Sequence, residues 1–148
     1  MERMKIILLG YQGVGKTKLI DSIINKEFSN DYSPTLTASY VVKQIEIDNK
    51  EYELNIWDTS GYEKFKKLTG LFLKDSQIII LVYDITNRES FKELEYWINE
   101  VYDRIGDKCS IGIIGNKMDL YMEEQVPEDE AMNFAKSKGY YYTALSAK

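Results

Sequence analysis

The stretch Gly10-Tyr-Gln-Gly-Val-Gly-Lys-Thr17 constrains this chain more than any other feature. It fits the spacing glycine, four residues, glycine, lysine and then serine or threonine, and its flanks are those the spacing requires. Before it, Lys5-Ile-Ile-Leu-Leu9 is apolar without alternation and closed by glycine, the pattern of a strand buried on both faces of a parallel sheet. After it, Leu19, Ile20, Ile23 and Ile24 recur three and four apart to about Lys26, as in an amphipathic helix. A strand, a glycine-rich turn and a helix in that order make a cradle for phosphate. The glycines let the backbone N–H groups of Gly13, Val14, Gly15 and Lys16 turn inward, beside Gln12, at the positive end of the helix dipole. Lys16 then reaches the β- and γ-phosphates, and Thr17 can put its hydroxyl on Mg²⁺, which prefers oxygen ligands. This loop does not by itself choose between ATP and GTP.

The remaining elements extend the same architecture. Val41 to Asp48 and Tyr52 to Trp57 are β-rich runs separated by Asn49-Lys50, which predicts a hairpin and the one antiparallel pair. Gln77 to Asp84, Ser110 to Gly115 and Tyr140 to Ala144 read as further strands, parallel to the first. Helices are expected over Ser90 to Ile105 and Glu128 to Lys138. The prediction is a doubly wound α/β fold with a six-stranded, mostly parallel sheet flanked by helices and one antiparallel edge hairpin. No repeat, low-complexity tract or linker divides the 148 residues, so positions 1–148 read as a single domain.

Composition removes several kinds of function. The formal charge is −5 and lysines are mixed with acids, so no basic stripe could track a nucleic-acid backbone. One cysteine, Cys109, rules out an internal disulfide, and the absence of histidine rules out a His/Cys metal cluster. The apolar stretch Ile6 to Leu9 is too short for a signal peptide, and Ile78 to Val82 cannot span a bilayer, so a cytoplasmic protein is expected.

The run Asn116-Lys-Met-Asp119 follows directly on the apolar strand that ends at Gly115, at the carboxyl end where open α/β sheets bind ligands. Asp119 can accept from the ring N–H and the exocyclic amine of guanine, whereas adenine offers an acceptor there and would leave the carboxylate unpaired. Asn116 can tether neighbouring loops, and the stem of Lys117 can lie across the ring face. Alone, this tetrapeptide would read as an ordinary polar turn; beside the phosphate loop it selects guanine. Asp58, after the strand ending in Trp57, is placed to hold a Mg²⁺-bound water, and Gly61 can offer its N–H to a γ-phosphate. Thr35, in the polar stretch Asp31 to Thr35, can close on the metal.

These elements, in this order, resemble the Ras superfamily of small GTPases from about residue 3 to the last residue. The resemblance rests on the phosphate loop, Thr35, Asp58-Thr-Ser-Gly61, Asn116-Lys-Met-Asp119 and Ser146-Ala-Lys148. It implies a small G domain in which Phe28 packs on the base and the backbone of Ser146 and Ala147, with Lys148, meets the guanine. Within the superfamily, Ile56 to Phe65 and Leu81 to Phe91 are most similar to Rab proteins, regulators of vesicle traffic. That likeness implies effectors, exchange factors and activating proteins as partners, with Tyr40, Trp57 and Phe72 as an aromatic effector surface. Trp57 also reads as a core residue, and Thr37-Ala-Ser-Tyr40 departs from the Rab pattern.

Two departures bear on catalysis. Tyr62 stands where the family carries the glutamine that orients the attacking water, and a phenol cannot accept from water and donate to phosphate with amide geometry. Gln12 stands where Ras favours glycine and would crowd the γ-phosphate. The expectation is a switch that binds GTP and GDP with Mg²⁺ and hydrolyses GTP slowly, through Lys16, Thr35, Gly61 and Tyr62. A pseudo-GTPase that holds nucleotide as a scaffold is the alternative. The family continues after Ser146-Ala-Lys148 into a last helix and, in Rabs, a prenylated tail. The chain therefore reads as truncated, with one sheet face partly open and membrane association only through such a tail.

Overall fold

The computed structural model describes residues 1–25, 38–59 and 70–146. Its centre is a six-stranded sheet in the order β2-β3-β1-β4-β5-β6. The strands are β1 (Glu2–Gly10), β2 (Ala38–Ile47), β3 (Lys50–Thr59), β4 (Ile78–Asp84), β5 (Ser110–Asn116) and β6 (Tyr141–Ala144). All neighbours run parallel except β2 and β3. The fold class is the expected one.

β1 is buried on both faces because its side chains alternate between two apolar clusters. Ile7 and Leu9 join Leu94, Trp97, Ile98 and Val101 of α3 (Leu94–Ile105) and Ala131 and Ala135 of α4 (Glu128–Ser137). Ile6 and Leu8 join Val14 and, from α1 (Lys16–Asn25), Leu19 and Ile20. Each fully buried side chain of this size contributes about 1.5–3 kcal/mol, so the strand that leads into the phosphate loop is firmly anchored on both faces of the sheet. Beside α1, Ile6, Leu8, Leu54, Ile56, Ile80 and Ile114 line a cavity of about 310 Å³, on the sheet face expected to be partly open.

Element ends differ from the sequence reading for physical reasons. β1 reaches back to Glu2 because β3 supplies a partner as far as the Glu2↔Tyr52 pair. The hairpin turn is Asp48-Asn49, one residue earlier than expected, with Ile47 paired to Lys50. Both turn residues have positive φ, 51° and 64°, which Asp and Asn tolerate better than lysine does. The helix expected over Ser90 to Ile105 begins earlier, as α2 (Arg88–Lys92), where the Asn87 side chain caps the N–H of Glu89, and it is interrupted at Glu93 before α3. A 3₁₀ helix over Met118–Glu123 has no counterpart in the sequence reading. Among the described residues no helix is long and apolar enough to cross a membrane.

Candidate functional site

The sheet reverses direction of winding between β1 and β4, and ligands in such sheets bind beyond the carboxyl ends of the strands at that point. The register brings those ends level: Leu8 pairs with Asp58, Gly10 with Val82, Asp84 with Asn116, and Gly115 with Ala144. Gly10, Asp58, Asp84 and Asn116 therefore sit along one rim of the sheet, with Ser146 just past β6.

Gly10 must lack a side chain, since a Cβ there would lie 2.4 Å from the carbonyl oxygen of Val82 on the adjoining strand. The loop then turns through Gly13 and Gly15 at φ 79° and 97°, conformations that favour glycine. Gln12 is exposed on this turn, while Val14 is buried and plugs the loop into the cluster beneath it. Lys16, 6% exposed, folds back so that Nζ donates to the carbonyl oxygens of Gly10 (2.9 Å) and Tyr11 (3.1 Å). Burial lowers its pKa to about 8, against the opposing pull of Asp58.

Thr17, the second residue of α1, donates its hydroxyl to Asp58 Oδ2 at the end of β3. Among the described residues no group of three or more His, Cys, Asp or Glu is placed to hold a metal. The Thr17 and Asp58 pair is instead a small set of hard oxygen donors, which suits a Mg²⁺ ion that keeps most of its shell as water and phosphate.

The turn after β5 is fastened to this loop by side chains. Asn116, 1% exposed, donates from Nδ2 to Val14 O at 2.8 Å. Lys117, in the left-handed region at φ 70°, donates from Nζ to Gly13 O at 2.9 Å and pairs with Asp84 Oδ2 at 2.9 Å. Asp84 is 6% exposed, and its other oxygen accepts from the N–H (2.8 Å) and hydroxyl (2.6 Å) of Thr86. Asp119 is exposed and accepts the Ser146 hydroxyl at 2.7 Å, which joins the turn after β5 to the end of β6. Beneath them, the hydroxyls of Tyr83 and Tyr142 meet at 2.9 Å across Gly115, where a Cβ would come within 2.7 Å of Tyr83 Oη. The residue before Asn116 is thus clamped from both neighbouring strands.

Of the site residues expected from sequence, Gln12 to Thr17, Asp58, Asn116, Lys117, Asp119 and Ser146 come together here. Phe28, Thr35, Gly61, Tyr62, Ala147 and Lys148 lie outside the described residues. The aromatic residues form a separate row, Tyr40 on β2 and Trp57 on β3 at 5.0 Å between ring centres, and Trp57 with Phe72, from the turn before β4, at 5.3 Å. Tyr40 is half exposed; Trp57 and Phe72 are partly exposed and also pack on the main core, so the core reading of Trp57 holds in part. Sequence reasoning missed Asp84. The available signal was its position, because it closes an apolar strand at the carboxyl rim just as Asn116 does.

A glycine-rich strand-to-helix loop, tied by Asn116 and Lys117 to the turn after β5 on one rim of a mostly parallel six-stranded sheet, is the arrangement of a small G domain of the phosphate-loop class. Comparison with known proteins agrees, with residues 5–148 matching the Ras family, and the chain belongs to that family. It is Rab-like. It is 40% identical to the Ras-related protein Rab-21 of Geodia cydonium over 144 residues, covering 96% of this chain and 63% of that protein. It is 39% identical to Rab-21 of Bos taurus (97% and 65% covered). It is 38% identical to the Ras-related protein Rab-7a of Paramecium octaurelia (97% and 72%). The chain thus spans just under two thirds of the length of the Rab-21 proteins it matches.

Proposed function

We propose that residues 1–148 act as one guanine-nucleotide switch, which binds GTP and GDP with Mg²⁺, hydrolyses GTP slowly and serves vesicle traffic through effector proteins. The observation that carries this reading is the fastening of the base turn to the phosphate loop, Asn116 to Val14 and Lys117 to Gly13. Phosphate recognition and base recognition then occur at a fixed spacing, as one nucleotide requires.

The residues divide the work. Backbone amides of Gly13 to Lys16 take the phosphate oxygens, and Lys16 exchanges two carbonyl acceptors for charged ones. Asp119 gives up the Ser146 hydroxyl to accept from the guanine ring N–H and amine. Lys117 lays its stem along the ring, with Phe28 and the Ser146 to Lys148 backbone completing the base pocket. Thr17 and Thr35 would hold Mg²⁺ by their hydroxyls and Asp58 would do so through water; the ion would neutralise charge on the β- and γ-phosphate oxygens during transfer. Gly61 senses the γ-phosphate. Tyr40, Trp57 and Phe72 present the effector surface, and exchange factors and activating proteins set the nucleotide state. Association with endomembranes would come from a lipidated tail.

Calorimetric titration with GTP, GDP and ATP, with and without Mg²⁺, tests the class. Guanine nucleotides bind, and ATP is weaker by roughly 10⁴-fold, because a carboxylate built to take two hydrogen bonds is left unpaired. Equal affinity for ATP would refute the assignment. The Tyr62 departure makes hydrolysis slow, so Tyr62→Gln raises the single-turnover rate roughly tenfold or more. An unchanged or lower rate would remove that explanation. The same departure favours the scaffolding reading, which predicts no turnover in the parent protein.

A further inference from the structure

The 3₁₀ helix Met118–Glu123 has no buried residue and exposes three large apolar side chains in succession: Leu120, Tyr121 and Met122, at 38%, 63% and 84%. The backbone holds this segment in place from both ends. Met118 N–H donates to Leu145 O at 3.2 Å, and the N–H groups of Gln125 and Val126 donate to Ile85 O at 2.8 and 3.1 Å. Val126 is fully buried and pins the exit. Anchored this way, Leu120 to Met122 cannot fold back into the core, and contiguous exposed apolar surface of this kind marks contact sites.

The charge around the segment selects the partner. Positions 118 to 135 carry Asp119, Glu123, Glu124, Glu128, Asp129 and Glu130 and no lysine or arginine. Arg88 reaches in from α2 and is held by Glu130 at 3.0 Å. An anionic bilayer or a nucleic acid would be repelled by this rim. A purely apolar partner would desolvate carboxylates without pairing them. A segment that presents Leu or Ile on one stripe and Lys or Arg on its edges satisfies both requirements. We propose that this acid-rimmed apolar ridge docks a basic amphipathic helix of a partner protein, at a surface separate from the Tyr40, Trp57 and Phe72 row.

The test titrates the whole chain with a synthetic peptide of Leu and Lys at helical spacing, and with its counterpart carrying Glu for Lys. The Leu/Lys peptide binds; the double substitution Tyr121→Ser with Met122→Ser, and the charge reversal Glu123→Lys with Glu124→Lys, each weaken it at least roughly tenfold. Unchanged thermal midpoints show that both variants keep their fold, and Tyr121→Phe, which keeps the apolar bulk, keeps the affinity. No binding, equal binding of the Leu/Glu peptide, or binding indifferent to both sets of substitutions would overturn the proposal.

Discussion

In the proposed nucleotide site the phosphate end offers backbone amides and Lys16, a residue only 6% exposed, whereas the base end offers the side chains of Lys117, Asp119 and Ser146 near solvent. Each end satisfies its own polar groups, Lys16 on two carbonyls and Asp119 on a serine hydroxyl. The two arrangements differ in what a ligand would change. Lys16 carries its charge at a cost, visible as a pKa lowered to about 8, and an incoming anion relieves that cost. Asp119 trades one hydrogen bond for others in a wet setting, where the net gain is small but the penalty for the wrong ring is large. On this reading affinity resides at the phosphate end and selectivity at the base end.

Asp119→Asn is the strongest way to break that division. GTP affinity falls roughly 10³-fold or more, while inorganic triphosphate binds as before, measured by competition; a parallel loss for triphosphate would merge the two ends.

Lys16→Met comes next, with opposite signs for two observables. Affinity for GTP and for triphosphate drops together, by roughly 10²-fold, through lost charge-assisted hydrogen bonds. The thermal midpoint of the nucleotide-free protein rises at neutral pH, because a buried charge is gone. The lowered pKa fixes the pH dependence. Below about pH 8 the folded state carries the protonated amine and the full penalty, which is lost as pH rises from about 8 towards the ordinary 10.5. The parent protein therefore gains stability relative to Lys16→Met across that window, while its affinity for GTP declines as the proton needed for binding becomes scarce. Midpoints and titrations at a series of pH values check both trends.

The smallest effect sharpens the base end. Asp84→Asn loosens Lys117 without touching the ring-reading carboxylate, so GDP dissociates about tenfold faster. In a Lys117→Ala background the same change adds nothing, if Asp84 acts through Lys117. An additive effect in stopped-flow release would give Asp84 an independent role.

The parts legible in the sequence were those whose residues are contiguous. The phosphate loop and Asn116 to Asp119 each announce themselves, because one short stretch must supply several groups to one ligand atom set. The sheet was also legible, since short runs rich in β-branched residues, such as Ile78 to Val82 and Ile111 to Ile114, read as buried strands. Two kinds of contact were not legible: the Lys117 to Asp84 ion pair exists only once the ends of β4 and β5 are level, and the retreat of Lys16 onto Gly10 and Tyr11 depends on how the loop between them turns. The 3₁₀ helix escaped notice because Met118 to Glu123 is too short to show a period. The hairpin slipped by one residue because its position depends on which side chains accept positive φ, a finer criterion than the β-rich runs on either side.

Gly15 sits with its Cα so near Asn116 that any side chain there would collide with the asparagine amide at 2.4 Å. In the proposed nucleotide site the phosphate loop and the turn after β5 therefore share one close contact. On the proposed reading, a guest that seats its tail badly presses through Gly15 on the Asn116 amide, so a misfit at one extremity is felt at the other and the pocket checks the whole length of its guest.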